Sequence, residues 1–400
     1  MTMRKAIVLA TDKNYLEKVL VTIKSISVYN RDVDFYLLHQ GDVPIEWIRS
    51  VDNHLSRLGS RLKNAYVSDT SINSFRTFLT ASTWLRLFAA EIIKEDRALY
   101  LDSDLVVNGS LNSLFEMDLG DAYVAAVKDP NRNEDGNFNA GVLVLNLAQW
   151  RKENVTEKLF KTAQEKHAEV RNGDQSILNL VCAGRWLALD KGFNYQTYDA
   201  VSRYEHRAYL YKDIGDWTPT IIHFLTTDKP WNGHSVARFR ELWWYYFHLE
   251  FSQIHGDRKT PVTFTEAISI FSRFKKNAFI LTNSDQLEHI EYLVEHLPQI
   301  QFHVAAYTLV SARLTNLMNF DNVRIYPEII GARIDKLLDY CDFYLDINHF
   351  DELYQITDRA KKAGKKVLAF DNTVHQPDNA SEIISHETPQ LMVEAILKNA

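Results

Sequence analysis

Ala6-Ile-Val-Leu-Ala10 is a continuous apolar run, followed by the polar Thr11-Asp-Lys-Asn-Tyr15 and then by residues 16–29 with helical spacing. A strand that is apolar at every position is buried on both faces, as strands of parallel sheets are. The same alternation continues outward from it. Residues 34–39 and 62–67 read as strands around a helix at 45–58. Residues 80–93 read as a helix, 97–101, 123–127 and 141–147 as strands, and 174–183 as a helix that Asp174 can cap. The pattern predicts an α/β domain with a mostly parallel sheet. An aromatic-rich helix at 239–251 closes it, and the polar stretch Gly256–Pro261 marks a boundary, giving domains at 1–260 and 261–400.

Beyond that boundary the alternation resumes, with strands at 278–282, 302–307, 323–326, 343–347 and 366–370 and helices at 285–296, 352–362 and 388–398. This predicts a second, smaller Rossmann-like layer. It holds only Gly331 and Gly364. A dinucleotide site needs clustered glycines so that backbone amides can approach the phosphates, so no nucleotide is assigned to it.

The 400 residues are 46% apolar and 24% charged, which excludes a mainly disordered or collagen-like chain. The net charge of −7 argues against a broad electrostatic grip on nucleic acid. That charge is uneven: residues 261–400 hold 13 Lys and Arg against 19 Asp and Glu, whereas residues 1–260 hold 32 against 33. Cys182 and Cys341 lack metal-ligand spacing and read as free thiols of a reducing compartment. No apolar run approaches the roughly 18 residues that span a bilayer. The stretch 6–10 is too short for a secretory core and Asp12 interrupts it, so a cytoplasmic protein is expected.

The sharpest chemical signal is Tyr100-Leu-Asp102-Ser-Asp104, two carboxylates one residue apart just after a buried strand. Hard oxygen ligands of this kind suit Mg2+ or Mn2+ holding a diphosphate, and open α/β sheets bind ligands beyond the carboxyl ends of their strands. In isolation, two solvated turn aspartates would be the commoner explanation. Further pieces follow in order: Asp12, Asn14 and Tyr15 after the first strand; Arg86 in Trp84-Leu-Arg-Leu-Phe88; Lys128-Asp129; Phe138-Asn139-Ala-Gly141-Val-Leu-Val-Leu-Asn146; Asn172-Gly-Asp174-Gln175; Ile222-His223-Phe224; and Lys229-Pro-Trp231.

Over about residues 4–235, the order and spacing of these motifs resemble glycosyltransferase family 8, the retaining, metal-dependent enzymes of the GT-A fold. The resemblance implies that Asp102, Asp104 and His223 ligate Mn2+, with Mg2+ as the alternative. It implies that Ala10, Thr11, Asp12, Asn14 and Tyr15 form the uridine-binding turn of a UDP-sugar site, to which Ser103 belongs. Lys229 would contact the diphosphate, and Arg86, Asp129, Asn139, Ala140, Asp174 and Gln175 would surround the donor sugar. Each residue also has a plainer explanation: turn chemistry at Asp12 and Asn14, a helix cap at Asp174, a structural ion pair at Arg86, a core histidine at His223 and an exposed loop lysine at Lys229. One departure stands out. The family usually has Gly where this chain has Thr226, which touches the phosphate geometry rather than the metal site.

The implied reaction moves a hexose, with glucose expected, from a UDP-sugar to an acceptor hydroxyl with retention. Gln175 stands where a retaining glycosidase would need a carboxylate. An amide is a poor nucleophile, so front-face attack is expected, with Asp129 or Asp174 as covalent nucleophile the minority alternative. Residues 261–400 more loosely resemble the second half of bacterial glycosyltransferases that modify serine-rich-repeat adhesins. The implied acceptor is GlcNAc on a Ser/Thr-rich protein, with a homo-oligomer or other glycosyltransferases admitted as partners. The alternatives are a galactosyl- or glucosyltransferase of lipooligosaccharide, teichoic acid or capsule synthesis, touching a membrane peripherally through Trp243–Phe247, and a non-catalytic UDP-sugar-binding subunit. His234, His248 and His255 show no ligand pattern.

Overall fold

The fold is that of a computed structural model, which describes residues 4–68, 84–129, 137–166, 169, 173–197, 218–225, 227–270, 274–308, 310–329 and 331–399. Thr226, Asn172 and the first residues of the helix expected at 80–93 lie outside them. The described chain divides into two compact units. The first comprises 4–197, 218–225 and 246–261, and the second 227–245 and 262–399. The single cut expected at 260 therefore omits the segment 227–245, which clusters with the second unit.

In the first unit, strands β1 (Lys5–Ala10), β2 (Val33–His39), β3 (Arg61–Tyr66), β4 (Arg97–Leu101), β6 (Val124–Lys128), β7 (Phe138–Asn146) and β8 (Trp186–Ala188) form one sheet in the order β3-β2-β1-β4-β7-β6-β8. The strands from β3 to β4 run parallel, while β7 runs antiparallel to both its neighbours. The apolar run of β1 serves two cores. Ala6, Val8 and Ala10 enter one cluster with Leu85 and Tyr100, and Ile7 and Leu9 enter another with Ile23 and Leu101. Each fully buried aliphatic side chain of this kind contributes roughly 1.5–3 kcal/mol.

A second, small sheet holds β5 (Leu105–Val107), β10 (Ile221–Phe224) and β9 (Tyr195–Thr197) in the order β5-β10-β9. The sequence pattern did not predict β5, β8 or β9, because three residues are too few to show an alternation. The strand expected at 141–147 begins earlier, at Phe138, so Asn139 lies in a strand rather than a turn. The helix expected at 80–93 is described as a 3-10 turn, Leu85–Phe88, leading into Ala89–Ile92.

The second unit carries a fully parallel six-stranded sheet: β11 (Lys276–Thr282), β12 (Ile300–Ala306), β13 (Val323–Tyr326), β14 (Phe343–Asp346), β15 (Lys366–Phe370) and β16 (Glu382–Ile384). The order β13-β12-β11-β14-β15-β16 is that of a doubly wound Rossmann sheet, with its switch point between β11 and β14.

The aromatic helix is observed at Arg240–His248. Trp243 and Tyr246 are buried, as is Arg238 before them, and the Tyr246 hydroxyl donates to Asn108 Oδ1 at 2.5 Å. The segment is therefore not a basic amphipathic face available to a membrane. No described helix is long and apolar enough to cross one. Cys182 and Cys341 are buried free thiols, and burial pushes Cys182 up to about 12.

At the end of β14, the buried Asp346 accepts the His375 backbone N–H at 2.8 Å and contacts its Nδ1 at 2.6 Å. That bond raises the imidazole from its ordinary 6.5 to about 9. The unfolded chain gives up this proton near 6.5, so the stabilisation is complete below that pH and is lost as pH rises through 9. Thermal unfolding should show a midpoint that falls between pH 6.5 and 9.5. His375→Gln should start lower, by on the order of 1–2 kcal/mol after allowing for solvent screening, and fall less steeply. Identical slopes for the two proteins would refute the assignment.

Candidate active site

The site forms where β4 ends. Leu101 pairs with Val142 of the antiparallel β7, and the next backbone amide, Asp102 N–H, donates to Gly141 O at 2.9 Å. Ser103 turns inward, and its hydroxyl donates to Ala10 O at 2.7 Å. This ties the turn after β4 to the turn after β1. Thr22 Oγ1 lies 2.8 Å from Leu105 O and 3.2 Å from Ser103 O, fixing the chain as it leaves the turn. Asp104 O accepts Phe224 N–H, and His223 pairs across the small sheet with Leu105. The short strand β5 therefore delivers His223 to the two aspartates.

The result is a triad. His223 Nε2 lies 3.1 Å from Asp104 Oδ1 and 3.7 Å from Asp102 Oδ2. One ligand atom from each of Asp102, Asp104 and His223 lies within 4.8 Å of the other two. His223 is 2% exposed, and the carboxylates are partly open to solvent.

A chain of side-chain amides fixes the imidazole. Gly141 N–H donates to Asn139 Oδ1 (2.9 Å) and Ala140 N–H to Gln175 Oε1 (3.0 Å). Backbone N–H groups can only donate, so these bonds settle which amide atom is oxygen. Asn139 Nδ2 then donates to Gln175 Oε1 at 3.2 Å, Asn194 Nδ2 donates to Asn139 Oδ1 at 2.8 Å, and Gln175 Nε2 donates to Asp129 Oδ2 at 2.9 Å. Asn194 Oδ1 is left facing His223 Nδ1 at 3.0 Å. An oxygen there accepts from Nδ1–H, so Nε2 is the nitrogen turned to the carboxylates, and in the neutral ring its lone pair is offered to a cation between them. This donor set, one neutral imidazole with two carboxylates, fits a divalent metal.

Gly141 has no alternative in this arrangement. A Cβ there would stand 2.6 Å from His223 Nδ1 and 2.9 Å from Asp102 Oδ2.

Arg86 is buried between the carboxylates. Its Nη2 lies 3.1 Å from Asp102 Oδ1, its Nε lies 2.8 Å from Asp174 Oδ2, and its Nη1 donates to Ala140 O at 2.5 Å. Its guanidinium lies 4.4 Å from the centre of the Tyr100 ring, and the Tyr100 hydroxyl donates to Asp102 Oδ1. Burial works against the Arg86 charge, but Asp102 and Asp174 outweigh it and raise the pKa above the ordinary value. Burial also pushes Asp174 up to about 6, against the pull of Arg86.

Asp12 Oδ1 accepts Asn14 N–H at 2.8 Å, making a tight turn after β1. Thr11 is buried and its N–H donates to Leu38 O, while Tyr15 is 38% exposed. The first unit therefore brings together Ala10, Ser103, Arg86, Asp102, Asp104, Asp129, Asn139, Ala140, Asp174, Gln175 and His223, with the Asp12–Tyr15 turn continuing directly from Ala10. Lys229 is not in that set. It belongs to the second unit, where its Nζ lies 6.0 Å from the centre of the Trp231 ring. Sequence reasoning missed Asn194 and Tyr100. Asn194 carries no motif, and its partners come from distant strands.

With Mn2+ as the probe ion, Asn194→Ala should weaken divalent-metal binding by roughly 10–100-fold, read by the paramagnetic resonance of free Mn2+, and Asn194→Asp should recover part of it through a restored acceptor for Nδ1–H. Unchanged affinity in the alanine variant would rule out control of the tautomer by this amide. Gly141→Ala should abolish Mn2+ binding and lower the unfolding temperature in the same protein; retained binding would show that the imidazole has room to move.

Residues 6–235 match glycosyl transferase family 8, and residues 278–400 match the GftB/GlyA-F C-terminal domain. Glycosyltransferase GlyF of Streptococcus pneumoniae serotype 4 (strain ATCC BAA-334 / TIGR4) is 38% identical over 398 residues, covering 98% of both chains. The crystal structure of apo-form glycosyltransferase GlyE of Streptococcus pneumoniae TIGR4 aligns over 100% of both chains, with TM-score 0.56 and 33% identity. That of galactosyltransferase LgtC, in complex with donor and acceptor sugar analogs, aligns over 60% of this chain and 95% of its own, with TM-score 0.53 and 26% identity. With a GT-A domain followed by a C-terminal α/β domain, the chain belongs to glycosyltransferase family 8 and is a hexosyltransferase.

Proposed function

We propose that this enzyme transfers a hexose, with glucose expected, from a UDP-sugar to a hydroxyl of GlcNAc carried on a Ser/Thr-rich protein, with retention at the anomeric carbon. The observation that carries the reading is the amide chain joining His223 to Gln175. It holds a neutral amide, anchored on Asp129 and Ala140, beside the metal triad.

Asp102, Asp104 and His223 would hold Mn2+, which when bound supplies positive charge for the departing diphosphate. In the turn after β1, the exposed ring of Tyr15 would stack on uracil, and Asp12 and Asn14 would meet the base edge. Lys229 is assigned to the diphosphate as a point charge. Arg86, held charged by Asp102 and Asp174, would orient the donor sugar together with Asn139 and Ala140.

Gln175 is a poor nucleophile, and its Oε1 already accepts two N–H groups. Asp174 is buried and its carboxylate is tied to Arg86, which counts against it as a nucleophile too. Both observations favour attack by the acceptor hydroxyl on the face that UDP leaves. The proton then passes to the leaving phosphate, and the C1–O bond to UDP breaks as the new glycosidic bond forms. The buried Trp243 and Tyr246 remove support from a lipid acceptor, whereas the match of 278–400 to the GftB/GlyA-F C-terminal domain supports other glycosyltransferases as partners.

A panel of UDP-sugars should show UDP release that requires Mn2+, is strongest with UDP-glucose and is accelerated by a GlcNAc-bearing Ser/Thr peptide. Asp104→Ala should lose at least about a hundredfold of it. Gln175→Ala should cost at least about tenfold in kcat, and a smaller loss would count against charge stabilisation by the amide. An inverted product anomer would overturn the front-face reading.

A further inference from the structure

The carboxyl-end crest of the second unit's sheet has features that the proposed reaction does not use. In a doubly wound sheet, ligands sit at the switch point, here between β11 and β14. The turn leaving β11 reads Thr282-Asn-Ser-Asp-Gln286, and the chain leaving β14 reads Asp346-Ile-Asn348. These residues are knitted together. Thr282 Oγ1 donates to Asn348 Oδ1 at 2.9 Å, Ser284 Oγ donates to the same oxygen at 3.4 Å, and Asn348 Nδ2 donates to Asn283 Oδ1 at 3.4 Å.

Two tyrosines stand on the same crest. Tyr307 follows β12, and its N–H donates to Thr282 O at 2.8 Å. Tyr354 lies beyond β14, and its ring centre is 5.7 Å from that of Tyr307, edge to face. The rings are 42% and 41% exposed. Tyr354 and the next residue, Gln355, both adopt left-handed backbone conformations, with φ of 55° and 49°. Two consecutive non-glycine residues in that region cost of order 1–3 kcal/mol each, and strain of this kind concentrates at ligand clamps. Here it holds a large apolar ring out toward solvent.

The lining also restricts the ligand. Segments 282–291, 305–312 and 343–357 contain no Lys or Arg, but do contain Asp285, Glu288, Glu291, Asp346, Asp351 and Glu352. The βα turn has no glycine through which a phosphate could approach backbone amides. A nucleotide or other phosphorylated ligand would meet these carboxylates and no Lys or Arg of these segments, and the imidazolium beside the end of β14, His375, is already held by Asp346. Thr282 and Asn348 are buried and brace the turn, leaving the partly open Asn283 and Ser284 beside an aromatic pair. That lining instead matches an uncharged sugar, whose ring hydroxyls hydrogen-bond to amides while its C–H face packs on an aromatic ring.

We infer that the β11–β14 crest is a subsite for a neutral saccharide of the acceptor glycan, with Tyr307 and Tyr354 as the stacking platform and Asn283 as a polar partner. The inference rests on the glycan-acceptor reading of the proposed function. It places acceptor recognition on named residues of the second unit, apart from the donor chemistry.

The test uses the full chain, UDP-glucose, Mn2+ and a Ser/Thr peptide carrying O-linked GlcNAc. Tyr307→Ala/Tyr354→Ala should raise the KM for the glycopeptide by about tenfold or more, equivalent to about 1.4 kcal/mol. The Kd for UDP and the hydrolysis of UDP-glucose without acceptor should be unchanged. Tyr307→Phe/Tyr354→Phe keeps both rings and should bind as the parent does, which separates stacking from the hydroxyl contact. Unchanged KM in the alanine variant, with an active parent, would overturn the subsite and leave the proposed function standing. If the parent transfers to no glycopeptide but does transfer to another acceptor, the proposed function fails first. A second equivalent of UDP bound by the parent and lost in the alanine variant would instead mark the crest as a nucleotide site and refute the saccharide assignment. Saturation by a Lys-rich peptide without glycan, lost in the same variant, would refute it in favour of a cationic ligand.

Discussion

The catalytic unit depends on holding together groups that repel one another. Asp102, Asp104 and His223 present ligand atoms within 4.8 Å, two of them on carboxylates. At that separation, two like charges near a protein surface oppose each other by roughly 3–4 kcal/mol at an effective dielectric of about 20. Arg86 relieves only part of this, because it contacts Asp102 and its remaining charge is shared with Asp174. The amide chain fixes the ring itself: Asn194 Oδ1 accepts from Nδ1–H, and Nε2 is turned to Asp104 at 3.1 Å. A divalent cation held by the three ligand atoms would balance these charges, and the fold supplies the scaffold that positions them.

That scaffold is chiefly three successive residues of β7. Asn139 carries the amide chain, Ala140 gives its carbonyl to Arg86 and its N–H to Gln175, and Gly141 gives its carbonyl to Asp102 while leaving room for His223. Strand direction makes this arrangement work. Because β7 runs antiparallel to β4, its first residues lie at the carboxyl end of β4, where the aspartates emerge. A parallel β7 would bring its last residues there instead, and Asn139–Gly141 would lie at the far end of the sheet. The reversal is therefore a functional feature of an otherwise parallel half-sheet.

Much of this was legible in the sequence, for reasons that differ by residue. The apolar run of β1 and the polar turn after it were readable because a strand buried on both faces leaves no polar position. Asp102 and Asp104 were readable because both emerge from one strand. His223 became a ligand candidate only through the order of motifs, since the strand that presents it, β10, pairs with a three-residue strand that has no periodicity of its own. Asn194 was not readable at all: its role exists only through its bonds to His223 and Asn139, 29 and 55 residues away. For Trp243–Phe247 the sequence left two readings, packing as the favoured one and a membrane-facing surface as the alternative. Basic residues and aromatics fit both, and the burial of Arg238 and Trp243 is decided by tertiary packing.

The two units show how similar sheet geometry can carry opposite chemistry. In both, the useful groups stand at the carboxyl ends of central parallel strands, where the alternation of strands and helices leaves a crevice. In the first unit that position is filled by carboxylates, an imidazole and a buried guanidinium, and it suits a ligand whose charge changes as a bond breaks. In the second it is lined by Asn283 and Ser284, braced by the buried Thr282 and Asn348, with two half-exposed tyrosines; the turn leaving β11 has no glycine, and segments 282–291, 305–312 and 343–357 have no Lys or Arg. A group transfer calls for both environments: strong fields where the leaving group departs, and uncharged, shape-selective contacts where a substrate must be recognised but left chemically intact. The uneven charge of the chain is consistent with this division, because an acidic second unit discourages the anionic donor from competing for the surface that reads the acceptor.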